Sequence, residues 1–289
     1  MTDLHRPRRS VLYMPAANAR ALEKAKDIAA DSLIFDLEDA VAPDSKELAR
    51  KQAAAAVASG DYGRREVTIR CNGLDTPWGA DDIRAAAEVG PAAVVIPKVS
   101  GPAYLNEVER LLEEAGAPDH TLIWAMVETP SGILAANDIA HHSRLGAMVM
   151  GTNDMAKELR AALVPGRHPL LAHLATCILS AREAGTVILD GVYNDIKNED
   201  GFAAECQQGV EMGFDGKTLI HPSQVGPCND AWSPSDDEVE HARRVIAAFE
   251  EAEADGRGVV TVDGRMIENL HVDEARRAIG TADAIAALN

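Results

Sequence analysis

The stretch TLIWAMVETPSGILAANDIAHHSRLGAMVMGTNDMAKEL (Thr121–Leu159) decides how this chain reads. Two short apolar runs, Thr121–Val127 and Leu145–Met150, are separated by a longer helix-like segment. Each run is hydrophobic throughout rather than alternating, which suits a strand buried on both faces of a parallel sheet. Each then stops in polar residues, Glu128-Thr129-Pro130 and Gly151-Thr152-Asn153-Asp154. Working outward, similar runs occur at Ser10–Tyr13, Ser32–Phe35, Glu66–Arg70, Ala92–Pro97, Thr186–Leu189 and Asp215–Ile220. Amphipathic helices fit between them. They are Ala19–Ala29 after the N-cap Asn18, Ser45–Val57 with Ser45 as cap, Asp81–Val89, Tyr104–Ala115, Leu170–Ala184 and Gly201–Met212. This alternation predicts an α/β fold, a (β/α)8 TIM barrel, with a doubly wound open sheet as the alternative.

The remainder reads differently. SPSDDEVEHARRVIAAFEEAEA opens on turn and cap residues and continues as a long polar helix that Gly256 and Gly258 end. VVTV and RMIE then flank Asp263-Gly264, a two-residue hairpin turn, before a final alanine-rich helix, Val272–Leu288. Residues 1–232 are therefore expected to form the barrel, and residues 233–289 a helix-hairpin-helix extension serving as lid or oligomer arm.

Composition excludes several classes. Among 289 residues, 46 are acidic and 28 are Lys or Arg, a net charge of −18 that argues against a nucleic-acid binder, which needs a basic footprint. No apolar stretch is long enough to span a bilayer, and no signal core follows the charged start MTDLHRPRRS. Cys71, Cys177, Cys206 and Cys228 are scattered, which reads as free thiols in a reducing cytoplasm.

In a barrel of this kind chemistry sits at the C-terminal ends of the strands. Those ends supply Asp36-Leu37-Glu38-Asp39, Arg70 with Asn72, Pro97-Lys98, Glu128, Gly151-Thr152-Asn153-Asp154, Asp190 and His221-Pro222. Two carboxylates from neighbouring strand ends without a histidine cluster suit a hard cation such as Mg²⁺, with Mn²⁺ as the variant, and Glu128 and Asp154 are that pair. Arg70 offers a planar fork for a substrate carboxylate or carbonyl. Alternatively Asp154 caps the short helix Met155–Leu159, His221 packs at the rim, and Lys98 serves as a Schiff-base lysine. No dinucleotide fingerprint, P-loop or nucleophile elbow is present.

These residues also carry a resemblance. RRSVLYMPA (Arg8–Ala16), DSLIFDLEDAVAPDSKELAR (Asp31–Arg50), IRCNGLDTPWGADDI (Ile69–Ile83), VVIPKV (Val94–Val99), VETPSGI (Val127–Ile133), GTNDMAKEL (Gly151–Leu159) and GFDGKTLIHPSQV (Gly213–Val225) together resemble the citrate lyase β-subunit-like family. That family includes malyl-CoA and citramalyl-CoA lyases, within the HpcH/HpaI aldolase group. The resemblance implies a Mg²⁺-dependent barrel with a C-terminal lid, trimeric or hexameric, in which Glu128 and Asp154 hold the metal. It implies that Arg70 holds keto or carboxylate oxygens. Gly151, Thr152 and Asn153 would line the substrate carboxylate, and Glu38 and Asp39 would order the arginine and a water. It places a lid aspartate in a G-x-M-[IV]-D pattern; here Gly264-Arg265-Met266-Ile267 is followed by Glu268, so the carboxylate is one methylene longer.

The implied reaction is cleavage or formation of a 3-hydroxyacyl-CoA, malyl-CoA or citramalyl-CoA, to acetyl-CoA and a 2-keto acid, glyoxylate or pyruvate. Glu268 would be the acid/base. Coenzyme A would be part of the substrate, its phosphates met by His5, Arg6, Arg8, Arg9, Arg20 and Lys24. The alternatives are a malyl-CoA thioesterase on the same site, a CoA-free aldolase, and a complex-dependent β-like subunit without independent activity. Neither nucleic acid nor membrane is an expected partner.

Overall fold

The computed structural model describes residues 6–288. Eight parallel strands close into a barrel in sequence order, each hydrogen-bonded to its neighbour, with β1 meeting β8. They are β1 (Ser10–Pro15), β2 (Ser32–Asp36), β3 (Glu66–Arg70), β4 (Ala93–Ile96), β5 (Leu122–Val127), β6 (Leu145–Met150), β7 (Val187–Asp190) and β8 (Gly216–Leu219). Every predicted strand is present, with ends shifted by no more than two residues. The closed order replaces the open-sheet alternative.

Around the barrel run α1 (Ala19–Ala25), α2 (Lys46–Ser59), α3 (Gly79–Val89), α4 (Pro102–Glu114), α5 (Pro130–Leu134), α6 (Ala136–Ala140), α7 (Thr152–Leu159), α8 (Leu171–Ala184), α9 (Glu199–Met212) and α10 (Val225–Trp232). Asn18 caps α1 as expected, accepting from the Ala21 N–H at 3.2 Å. Ser45 makes no side-chain cap, because a 3-10 turn over Pro43–Ser45 feeds directly into α2. Gly151, not Asp154, is the N-cap of α7.

Period-two alternation along each strand decides what faces the barrel axis. Val11, Ile34, Val95, Trp124, Met126, Val149 and Leu189 fill the interior. Their neighbours Leu12, Phe35, Ile69, Ile96, Val127, Met150 and Ile188 pack outward against the helices. Two residues beyond Ile34 the same parity turns Asp36 inward, and two beyond Met126 it turns Glu128 inward. Arg70 alternates with outward Ile69, and Gly151 follows inward Val149.

Arg8 and Arg9 precede β1, at the end of the barrel opposite the strand C-termini. Arg8 is buried and donates to both oxygens of Glu66 at 2.6 and 2.7 Å, with its guanidinium 5.8 Å above the Trp124 ring. Arg9 pairs with both oxygens of Asp31 at 2.8 and 2.9 Å. The sequence expectation that both meet coenzyme A is corrected here. They close the barrel floor, because their acids stand at the N-terminal ends of β2 and β3.

Contacts divide the chain into two compact units, Arg8–Trp232 and the segment from Ser233 onward. The second holds α11 (Asp236–Ala254), β9 (Val260–Val262), β10 (Arg265–Ile267) and α12 (Asn269–Leu288) around its own core of Val245, Phe249, Val262, Ile267 and Val272. Ser235 and Glu238 form a capping box at the start of α11. Asp263 and Gly264, both at positive φ (48° and 79°), make the expected two-residue turn. All four cysteines are buried and free.

Arg8→Ala leaves the Glu66 carboxylate facing the interior without its guanidinium. It should cost about 3 kcal/mol of stability, read as a lower urea midpoint.

Candidate active site

A cavity of about 430 Å³ opens at the C-terminal ends of the strands, lined among others by Tyr13, Asp36, Asp39, Arg70, Met126, Glu128, Gly151, Thr152, Asn153 and Asp154. Seven sequence-predicted residues thus meet in one place: Asp39, Arg70, Glu128, Gly151, Thr152, Asn153 and Asp154. Glu38 stands beside them through Arg70.

Arg70 is buried and held by three carboxylates. Its Nε and Nη2 donate to the two oxygens of Asp36 at 2.7 and 2.6 Å, the side-by-side geometry that a planar guanidinium favours. Its Nη1 reaches Glu38 at 2.8 Å and Asp39 at 3.3 Å. The ring of Tyr13 lies 4.7 Å beneath the guanidinium carbon. Asp36 also accepts the backbone N–H of Glu38 at 2.8 Å and of Ala40 at 3.0 Å, which folds the loop that carries both acids. From the far side Lys46 Nζ donates to the carbonyls of Leu37 and Glu38 and to Asn72 Oδ1, each at 2.7 Å. Sequence reasoning passed over Tyr13 and Lys46 and gave Asp36 no role. Asp36 and Tyr13 were detectable from inward parity, but the reach of Lys46 is a tertiary fact.

Glu128 is 3% exposed. Its Oε1 accepts the Lys98 backbone N–H at 2.8 Å, and Lys98 takes a positive φ of 51° to deliver it. No protein donor reaches the other oxygen among the described residues. Burial pushes this carboxyl up to about 7, and the nearby Glu38 and Asp154 charges push the same way. Glu38 is likewise raised to about 7, first by burial, with Asp39 and Asp36 adding to it and Arg70 opposing. A buried carboxylate next to a second one, with an oxygen left open, fits a divalent cation that completes its shell with water and substrate oxygens. Among the described residues no group of three or more His, Cys, Asp or Glu is placed to hold a metal ion, so the protein side of such a site would be this pair.

Gly151 is required by this packing. A Cβ there would overlap the Glu128 carboxylate.

Other candidates fall elsewhere. The Lys98 amine is held protonated: burial opposes its charge, but Asp154, Glu38, Glu128 and Asp39 outweigh that and raise its pKa. A Schiff-base lysine needs the reverse shift. Asp190 points outward into the helix layer, and His221 caps the turn Pro222–Gln224 through Ser223. Arg20 and Lys24 are exposed on α1 and do not line the cavity. Glu268 is exposed in the second unit, between β10 and α12. Arg6 groups with the second unit, and His5 lies outside the described residues.

The family description "HpcH/HpaI aldolase/citrate lyase" matches residues 9–222. The chain belongs to this family. A second description, a C–C bond lyase of the TIM-barrel fold, matches residues 167–284. The chain is 53% identical over 281 residues to a (3S)-malyl-CoA thioesterase of Cereibacter sphaeroides, covering 97% of this chain and 96% of the relative. It is 37% identical over 284 residues to the citrate lyase subunit beta of Escherichia coli, covering 96% and 94%. Among solved structures it resembles CitE of Mycobacterium tuberculosis in complex with magnesium, acetoacetate and coenzyme A. The TM-score there is 0.80 at 28% identity, covering 97% of this chain and all of that one. The family is enzymatic, and no described helix is long and apolar enough to cross a membrane.

Gly151→Ala should evict the Glu128 carboxylate while leaving the barrel folded. The expected result is a near-native circular dichroism spectrum with at least a tenfold loss of affinity for any divalent cation that the wild-type chain takes up, read by calorimetry.

Proposed function

We propose that this protein is a Mg²⁺-dependent hydrolase of a 3-hydroxyacyl-CoA thioester, malyl-CoA, working at the rim described above. The observation that supports it most is that Arg70, Glu128 and Asp154 converge on one cavity in a chain 53% identical to a (3S)-malyl-CoA thioesterase over nearly its whole length. This ranks hydrolysis above the carbon–carbon cleavage that the motifs alone put first.

Glu128 and Asp154 would hold the cation. Bound there, Mg²⁺ would supply Lewis-acid polarisation of the substrate's hydroxyl and carboxylate oxygens. Arg70 keeps its charge at the cavity wall because Asp36 fixes its fork, so it stabilises negative charge growing on a substrate oxygen. The Gly151 N–H is taken by the Val127 carbonyl at 3.3 Å, so the backbone N–H groups of Thr152 and Asn153, where α7 begins, are the ones that favour a substrate carboxylate. Glu38, with its carboxyl near 7, is tuned to take the proton from an attacking water. That water adds to the thioester carbon, the C–S bond breaks, and the sulfur leaves with a proton as free thiol.

The second reading is C–C cleavage, supported by the match to a C–C bond lyase description and by the citrate lyase β relatives. There a base takes the hydroxyl proton, the bond between the hydroxyl carbon and the acyl α-carbon breaks, and the released enolate takes a proton from an acid, the role that the resemblance gives Glu268. Arg6, Arg20 and Lys24 are the candidates that remain among the described residues for the coenzyme A phosphates. A cytoplasmic trimer or hexamer completes the reading.

The test is an assay with Mg²⁺ and malyl-CoA or citramalyl-CoA that reads free thiol and 2-keto acid together, with Glu128→Ala as control. Thiol without keto acid is expected from malyl-CoA, lost at least a hundredfold in Glu128→Ala. Keto acid formation would put cleavage first, and silence in both channels would overturn the proposal. Because burial raises Glu128 to about 7, a proton competes with the cation below that pH. Mg²⁺ affinity should therefore hold above pH 7 and fall by about tenfold per unit beneath it, as calorimetry at stepped pH would read.

A further inference from the structure

Behind the rim lies an ion network that the proposed chemistry does not use. Asp190 and Lys217 face each other in register across β7 and β8, and both are fully buried. Lys217 Nζ donates to Asp190 Oδ2 at 2.9 Å, to Glu205 at 2.8 Å and to the Gly191 carbonyl at 2.5 Å. Asp190 Oδ1 accepts the Gly191 N–H at 2.8 Å and Arg167 Nη1 at 2.6 Å. Both backbone polar groups of Gly191 are therefore clamped by buried charges. Two residues on, Gln224 Nε2 holds the Tyr193 carbonyl at 3.0 Å.

The front of this loop braces the cavity wall. A Cβ at Gly191 would lie 2.6 Å from Thr152 Oγ1, so the bare glycine backbone is seated against the first residue of α7. Asn194 and Asn153 then exchange side-chain amide bonds, at 3.2 Å one way and 2.7 Å the other. Asp154 is the next residue. Charges in the helix layer thus reach the carboxylate turn through one rigid loop, with hydrogen bonds or packing at each step.

We propose that the Gly191–Asn194 loop, anchored by the Asp190–Lys217 pair, is a positioning element that fixes the Thr152–Asp154 turn and with it the Asp154 carboxylate. The proposal rests on the metal reading above. The amide exchange matters because Asn153 and Asn194 are exposed, where water competes for each group singly. A reciprocal pair on a preformed loop holds a geometry that separate solvated amides do not.

The test is a double-mutant cycle of Asn153→Ala, Asn194→Ala and both together in the full chain. Two measurements are made, Mg²⁺ binding by calorimetry and hydrogen exchange of the first turn of α7 without metal. Each single variant should weaken Mg²⁺ binding about threefold to tenfold, the scale of one lost hydrogen bond, and speed exchange in that turn. The double variant should be no weaker than the worse single, since both remove the same pair. Gly191→Ala, which pushes a methyl into Thr152, should show the same combined signature. Unchanged Mg²⁺ affinity in the singles, or losses that multiply in the double, would overturn the inference, as would faster exchange with intact affinity. A wild-type chain that takes up no Mg²⁺ would instead overturn the metal reading, and the inference with it.

Discussion

The paired contact between Arg70 and Asp36 is the interaction on which the site depends. An inward guanidinium at the end of β3 and an inward carboxylate at the end of β2 face each other in register. Each would be costly to bury alone, and together they satisfy one another. The same Asp36 oxygens fold the Leu37–Ala40 loop, so one carboxylate orients the arginine and places Glu38 and Asp39 around it. Lys46 and Asn72 then lock that loop from outside, using the carbonyls that the turn leaves open.

Opposite this paired wall stands a purely acidic one. Glu128 is buried, bonded through one oxygen to a backbone N–H, and raised in pKa by burial and by its acidic neighbours. That is an unfavourable place for a bare carboxylate and a favourable one for a cation. Asymmetry across the cavity, with an arginine fork on β3 and two carboxylates from the ends of β5 and β6, suits a ligand carrying both anionic oxygens and a metal-chelating group.

Much of this was legible in the chain. Uninterrupted apolar runs gave the strands because a parallel barrel buries both faces, and the polar residues that end them gave most of the rim. Glu128, Asp154 and Arg70 needed only the strand count. Arg8 and Arg9 went wrong because a basic segment near the N-terminus looks like an anion site until its partners are known. Those partners, Asp31 and Glu66, lie 22 and 58 residues away, and only the closed sheet brings them alongside. Asp190, left open between a structural and a functional reading, also ends a strand, yet one position of parity turns it to the helix layer.

The sequence by itself determined the barrel, the order of its strands and the residue types at its mouth, because local periodicity and strand-end chemistry are written in consecutive residues. The tertiary structure alone decided which charges neutralise one another: Arg8 with Glu66, Arg70 with Asp36, Lys217 with Asp190 and Glu205. Pairing of buried charges depends on distance through space and on side-chain parity across neighbouring strands. Neither is encoded at any single position of the chain.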